Sequence, residues 1–156
     1  MKTIQVREVY RLHGKASITV SEDADLEYVV ALLGHERHLQ GVFMVDSRQR
    51  FVGMVSRLDL LRWVQFQLYG GRRGKDMTIS EIFYLVSAQK VKDLQTRNMR
   101  LFSVQESDTL QAALDLMVDY EENILPVLDG EGRIIGDLSL SEVLLKAIEV
   151  GKQSKA

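Results

Sequence analysis

Apolar residues recur along this chain at two spacings. Leu26, Val29, Val30 and Leu33 fall at i, i+3, i+4 and i+7, the signature of one buried helix face. Ser21-Glu22-Asp23-Ala24-Asp25 just before them is an acidic stretch suited to starting that helix, and Ile18-Thr19-Val20 reads as a short β-branched strand. Downstream, Val42-Phe43-Met44-Val45, the polar Asp46-Ser47-Arg48-Gln49-Arg50 and Phe51-Val52-Gly53-Met54-Val55 predict a hairpin of two mostly buried strands. The second strand delivers Ser56, and Leu58, Leu60, Leu61 and Val64 carry a helix onward past Trp63 and Phe66.

The same pattern returns later in the chain. Leu26, Val29, Val30 and Leu33 recur 84 positions on as Leu110, Ala113, Leu114 and Met117. Val45, Asp46, Gly53, Ser56 and Leu60 recur 83 positions on as Leu128, Asp129, Gly136, Ser139 and Val143, so one residue is missing between helix and hairpin in the second copy. The repeated unit is strand, helix, strand, strand, helix. At about fifty residues it is too small to bury much apolar surface alone and is expected to pack against its twin.

The joint between the copies is Tyr69 to Asp76, with Gly70, Gly71 and Gly74 among Arg72, Arg73 and Lys75. Thr78-Ile79-Ser80-Glu81 then predicts a capping box that opens a helix through Ile82, Phe83, Leu85 and Val86 and runs into Val91-Lys92-Asp93-Leu94. Ahead of the first copy, Met1 to Gly14 reads as an accessory arm in which Val6, Val9, Tyr10 and Leu12 cover a face of another element. The domain reading is therefore 1–68 for the first repeat with its arm, 69–90 for the loop and linking helix, 91–150 for the second repeat and 151–156 for a polar tail.

In both copies a buried strand ends on a Ser and an acid follows three residues later, as Ser56 and Asp59 and as Ser139 and Glu142. A strand feeding straight into a helix leaves backbone N–H groups unpaired and aims the positive end of the helix dipole outward, which suits a phosphate. A carboxylate beside it suits a sugar diol. Ser-x-x-Asp/Glu is equally a capping box, which its own helix explains.

Composition narrows the classes. A chain of 156 residues, 46% hydrophobic, supports one compact domain or two very small ones. With 20 basic and 22 acidic residues the balance does not point to nucleic acid or a membrane surface. The absence of Cys removes thiolate nucleophiles and zinc-thiolate sites. Arg7, Glu8 and Arg11 stand where a signal peptide would need an apolar core, and a cytoplasmic location is expected. Gly70 to Lys75 lacks the phosphate-loop spacing, and His35 and His38 are three apart where a zinc helix needs four, so neither catalytic residues nor a metal site are expected. Trp63, Phe66 and Tyr69 at i, i+3, i+6 are expected to fill an inter-repeat or dimer contact.

The order of apolar strand, helix with Leu-x-x-Val-Val or Leu-x-x-Ala-Leu, Val-Phe-Met-Val-Asp or Leu-Pro-Val-Leu-Asp, then Gly-x-Val/Leu-Ser-x-x-Asp/Glu resembles the tandem cystathionine-β-synthase-type (CBS) domain pair, or Bateman module. The resemblance covers roughly residues 5 to 150. It implies an α/β (α+β) fold of two β-α-β-β-α repeats packed sheet to sheet with pseudo-twofold symmetry, and disc-shaped homodimers. It also implies a regulatory module that binds an adenosine-containing ligand, AMP, ADP, ATP or S-adenosylmethionine, as an energy sensor and passes its occupancy to a partner protein that the sequence does not identify. No cofactor beyond that ligand is implied.

By the same resemblance the first cleft takes phosphate and ribose on Ser56 and Asp59, with Arg57 between them, and packs the base among Leu101, Phe102, Asn123, Ile124 and Leu125. A second cleft would use Ser139 and Glu142, with its base near Ser17, Ile18, Gly41 and Val42. Here the chain departs from the family pattern, with Glu142 for the usual Asp and Asp137 for an apolar lining residue, so unequal clefts are expected. The other reading is an interaction or dimerisation module of the same fold that binds no nucleotide. The helices carrying Leu26 to Leu33 and Leu110 to Met117 are the expected dimer contact.

Overall fold

A computed structural model describes residues 3–12, 18–36, 39–70 and 87–154 of the chain. Two compact units form: residues 18–100, and residues 1–17 together with 101–156. The first-repeat unit holds β2 (Ile18–Ser21), α1 (Leu26–Leu33), β3 (Gly41–Val45), β4 (Phe51–Ser56) and α2 (Arg57–Tyr69). The second-repeat unit holds β1 (Arg11–Leu12), β5 (Val104–Gln105), α3 (Leu110–Tyr120), β6 (Ile124–Leu128), β7 (Ile134–Ser139) and α4 (Leu140–Ser154). The repeat read from the sequence is thus present twice as strand, helix, strand, strand, helix.

In the first-repeat unit the sheet order is β2-β3-β4, parallel then antiparallel. Its core joins Leu26, Val29 and Leu33 of α1 to Val42, Met44, Val52 and Val55 of the hairpin, and Val91 and Leu94 close it. Trp63 and Phe66, half-buried, pack against this core, while Tyr69 is exposed. In the second-repeat unit the order is β1-β7-β6-β5. There the periodic face of α3 is buried through Leu110, Ala113 and Met117.

Both hairpins turn on an Asp whose carboxylate caps the loop. Asp46 Oδ1 accepts from the N–H groups of Arg50 (3.0 Å) and Arg48 (2.8 Å), and the Arg50 bond above all holds the Asp46 carboxyl below the usual carboxylate range; Asp129 Oδ1 likewise accepts from the N–H groups of Glu131 and Arg133. The turn needs one left-handed residue. Gly132 supplies it at φ 83°, whereas the first copy places Gln49 there at φ 64°.

The packing does not follow the sequence boundaries. The arm ahead of the first repeat joins the second-repeat unit, and residues 91–100 join the first-repeat unit. The two segments are themselves a repeat, 85 positions apart, which the periodicity of the main elements does not display. Val6–Glu8 and Val91–Leu94 each form a 3-10 turn. Val6 N–H donates to Asp108 C=O as Val91 N–H does to Ala24 C=O, and Leu110 N–H donates to Ile4 C=O as Leu26 N–H does to Gln89 C=O. Val91-Lys92-Asp93-Leu94 is this turn rather than the continuation of a helix, its first N–H groups being drawn to Ala24 and Glu22 just ahead of α1; the helix expected through Ile82, Phe83, Leu85 and Val86 lies outside the described residues. The linking stretch 71–86 lies outside the described residues, as do Arg37 and His38. His35 is exposed. Among the described residues no helix is long and apolar enough to cross a membrane, and no cluster of acids and histidines is arranged to hold a metal.

Candidate functional site

In the first-repeat unit β4 is buried along its whole length and passes directly into α2. Ser56, extended at φ −81° and ψ 166°, is the N-cap. Its hydroxyl accepts from Asp59 N–H (3.1 Å), and its own N–H donates to Asp59 Oδ2 (3.0 Å), so the capping box is formed. The other oxygen of Asp59 accepts the Thr96 hydroxyl at 2.6 Å. Asp59 is 6% exposed, Thr96 and Arg57 are exposed. A carboxylate and an accessible hydroxyl thus stand together at the positive end of a 13-residue helix, a set able to accept from a diol and to attract an anion.

Thr96 was not among the residues expected from the sequence. The signal that finds it is the second repeat described above: Val91-Lys92-Asp93-Leu94-Gln95-Thr96 stands in line with Val6-Arg7-Glu8-Val9-Tyr10-Arg11. Lys92 anchors this segment through Asp23 Oδ1 at 2.8 Å, which lowers the Asp23 carboxyl and raises the Lys92 amine. Beside Thr96, Gln95 lies over Gly53 of β4, where a Cβ would run into Gln95 Oε1. That oxygen is buried and, among the described residues, has no hydrogen-bond partner.

In the second-repeat unit β7 delivers Ser139 to α4 in the same way. Glu142 Oε1 accepts from Ser139 N–H (3.0 Å) and from the Ser139 hydroxyl (2.9 Å), and Glu142 N–H reaches back to Ser139 Oγ at 3.4 Å. The extra methylene folds the longer acid onto its own cap. Asp137 is 3% exposed in the middle of β7, facing Pro126 on one side and Arg11 of β1 on the other in the ladder.

The residues expected to hold a base fall in both units. Phe102, Ile124 and Leu125 are fully buried in the second-repeat unit, with Phe102 against Tyr120 at 5.0 Å between rings. Asn123 C=O accepts from Leu140 N–H, and Leu101 is 79% exposed. Gly41 and Val42 are buried in β3, Ile18 is half-buried, and Ser17 lies outside the described residues. Within single units, then, Ser56, Asp59 and Thr96 converge, as do Ser139 and Glu142.

A family model described as CBS domain matches residues 6–65 and 91–149. The chloroplastic CBS domain-containing protein CBSX2 of Arabidopsis thaliana is 27% identical over 151 residues, which is 88% of this chain and 59% of the relative. The chain therefore spans about three-fifths of that relative's length. The crystal structure of CBSX2 in complex with AMP superposes with a TM-score of 0.68 at 23% identity, covering 95% of this chain and 98% of the other. A CBS domain-containing protein of Thermotoga maritima gives 0.70 at 24% identity, covering 94% and 95%. The CBS domain pair of protein MJ0100, solved with 5′-methylthioadenosine and S-adenosyl-L-methionine, gives 0.61 at 16% identity, covering 97% and 99%. At these identities the structural likeness is one of fold.

Proposed function

The chain belongs to the CBS-domain family, and from that premise we propose that it is a regulatory module that binds an adenine nucleotide or S-adenosylmethionine and transmits occupancy to a partner protein. The observation that carries this reading is the meeting of Ser56, Asp59 and Thr96 at the start of α2. The relatives solved with AMP, and with methylthioadenosine and S-adenosylmethionine, support the adenosine class. In this reading a ribose diol donates to Asp59 and displaces the Thr96 hydroxyl toward the ligand. Phosphate lies at the N-terminus of α2, with the exposed Arg57 as counter-charge.

Binding is read by thermal shift and titration calorimetry against AMP, ADP, ATP and S-adenosylmethionine. A saturable signal for at least one, lost in Asp59→Ala, is expected. No signal with any of them overturns the reading. One observation favours the second reading, an interaction module without a ligand: both oxygens of Asp59 already accept bonds from the chain itself. That reading forecasts an Asp59→Ala protein that is less stable and otherwise unchanged.

We further propose a homodimer, with α2 and α4 added to the helices named earlier as candidates for its contact. Leu26, Val29 and Leu33, and Leu110, Ala113 and Met117, are buried in their own units. On the outer face of α2, Leu58, Leu61, Val64 and Leu68 are 42–68% exposed along a groove of about 600 Å³, and on α4 Leu144, Leu145 and Ile148 are exposed as well. Apolar side chains clustered on one exposed helix face in this way mark an interaction face.

A further inference from the structure

The first-repeat unit holds a cavity of about 420 Å³ that the repeated motifs do not account for. Its walls are the head of α1 with Asp25 and Glu27, the middle of α2 with Trp63 and Gln67, and Gln89 and Lys90 just ahead of the 3-10 turn. Main chain pins two of these walls together. Leu26 N–H donates to Gln89 C=O and Val91 N–H to Ala24 C=O, both at 3.0 Å, while Asp93 Oδ2 accepts from the N–H groups of Gln89 (3.0 Å) and Lys90 (2.9 Å). The cavity is therefore shaped before anything enters it, and its volume suits a small molecule.

Asp25 stands at the N-cap of α1 and does not cap it. Its equivalent 84 positions on, Thr109, does: the Thr109 hydroxyl accepts from Ala112 N–H at 3.0 Å. Among the described residues neither the Asp25 nor the Glu27 carboxylate has a hydrogen-bond or ion-pair partner, and nearby Lys92 is taken by Asp23 at 2.8 Å. Glu27 lies in the first turn of α1, where the helix dipole alone favours an acid. The dipole does not account for Trp63, which is half-buried, packs against the core and lines the same cavity.

The second repeat fills this place differently. Trp63 and Gln67 correspond, 83 positions on, to Lys146 and Val150, while Asp25 and Glu27 correspond to the uncharged Thr109 and Gln111. Lys146 has a side chain only 19% exposed and pairs with Glu149 at 3.5 Å. One repeat thus carries its own cation at this position, and the other an indole accompanied by two carboxylates. In the first repeat Asp25 and Glu27 against Lys90 leave one net negative charge.

We propose that this cavity binds an alkylguanidinium group, stacked on Trp63 and forked to Asp25 and Glu27. A guanidinium is planar, always charged and offers five N–H donors, which two carboxylates and the amide oxygens of Gln67 and Gln89 take up while the indole face meets the plane. A primary ammonium has three donors and no plane to stack. The inference is independent of the nucleotide reading, since Ser56, Asp59 and Thr96 do not line the cavity.

Trp63 is the one tryptophan of the chain, so its fluorescence reports occupancy directly. Titrating the full chain with butylguanidinium chloride at constant ionic strength should give a saturable change, half-complete at about 1 mM or below. Butylurea, the uncharged isostere, should give none. Asp25→Asn combined with Glu27→Gln, isosteric changes at exposed positions, should weaken binding by about tenfold or more. Lys90→Met removes a like charge and should strengthen it a few fold. Two sources carry the group, a free alkylguanidine and an arginine side chain of another protein, and a blocked Ala-Arg-Ala peptide separates them. Binding as tight as that of butylguanidinium assigns the side chain; binding about tenfold weaker or more assigns the free molecule. No saturable change up to about 20 mM, an equal response to butylurea, or unchanged affinity in the double variant overturns the site. Weaker binding in Lys90→Met overturns it as well, and keeps the test decisive if the double variant does not fold. Calorimetry beside the fluorescence detects binding that leaves the indole unchanged, which overturns the stacking on Trp63.

Discussion

The Thr96 hydroxyl donates to Asp59 Oδ1 at 2.6 Å across 37 residues of sequence, and joins the post-linker segment to the head of α2. The partner oxygen of the same carboxylate holds Ser56 N–H. Asp59 is therefore cap and candidate ligand residue at once, and the two roles separate by substitution.

Asp59→Ala should lose about 0.5 to 2 kcal/mol of stability as a cap. Loss of charge-assisted bonds worth about 1.5 to 3 kcal/mol should also weaken nucleotide binding by roughly 10- to 150-fold. Thr96→Val removes only the hydroxyl at an exposed position, so its melting temperature should change little while AMP affinity falls by about tenfold. Equal AMP affinity for wild type and Thr96→Val in calorimetry would leave Thr96 a purely structural tie.

Gly53 is fixed by its neighbour. A Cβ there meets Gln95 Oε1 and comes within 3.2 Å of Met44 Cε, the ends of two flexible side chains that can give way, so Gly53→Ala should destabilise by only about 1 kcal/mol. Gln95→Ala in the same chain should recover much of that loss, because it removes the first obstacle and a buried oxygen without a partner among the described residues. Urea unfolding of the two single variants and the double variant gives the coupling directly; additive losses would place the clash elsewhere.

The outer face of α2 predicts self-association. Leu61→Glu combined with Leu68→Glu places charge on side chains that are 64% and 68% exposed, so the fold should be unaffected by circular dichroism. Light scattering at tens of micromolar should change from dimer to monomer. A dimer that persists in the double variant assigns the contact to another face.

The arm should be sensitive to alkali. Burial of Tyr10 and its hydrogen bond to Glu106 raise the phenol from 10.0 to about 12. A pKa raised in the folded state favours the neutral phenol, so this contribution is complete below pH 10.0 and is lost as pH rises through about 12. Amide exchange in residues 4–10 and at Asp137 should accelerate over that window in wild type, after correction for intrinsic rates, and Tyr10→Phe should flatten the added dependence.

Residue spacing by itself determined the repeated unit. A 3.6-residue period at Leu26 to Leu33 and Leu110 to Met117, and buried runs at 42–45, 51–55 and 124–127, have one economical folded arrangement, because each leaves a single face or strand to bury. The turn and cap residues Asp46, Asp129, Ser56 and Ser139 were legible for the same reason: their chemistry is local, acting within four residues. Partners distant in sequence were not legible. That Thr96 reaches Asp59, that Gln95 covers Gly53, and that Val6 and Val91 exchange units each depend on where a short irregular segment with no period lands. Only the tertiary structure decided which apolar faces stay outside, since Leu58 and Leu61 read like Leu60 until the direction of α2 on its sheet is known. It also decided the closing of the β7 edge, a matter of two backbone residues whose side chains do not encode which strand they will join.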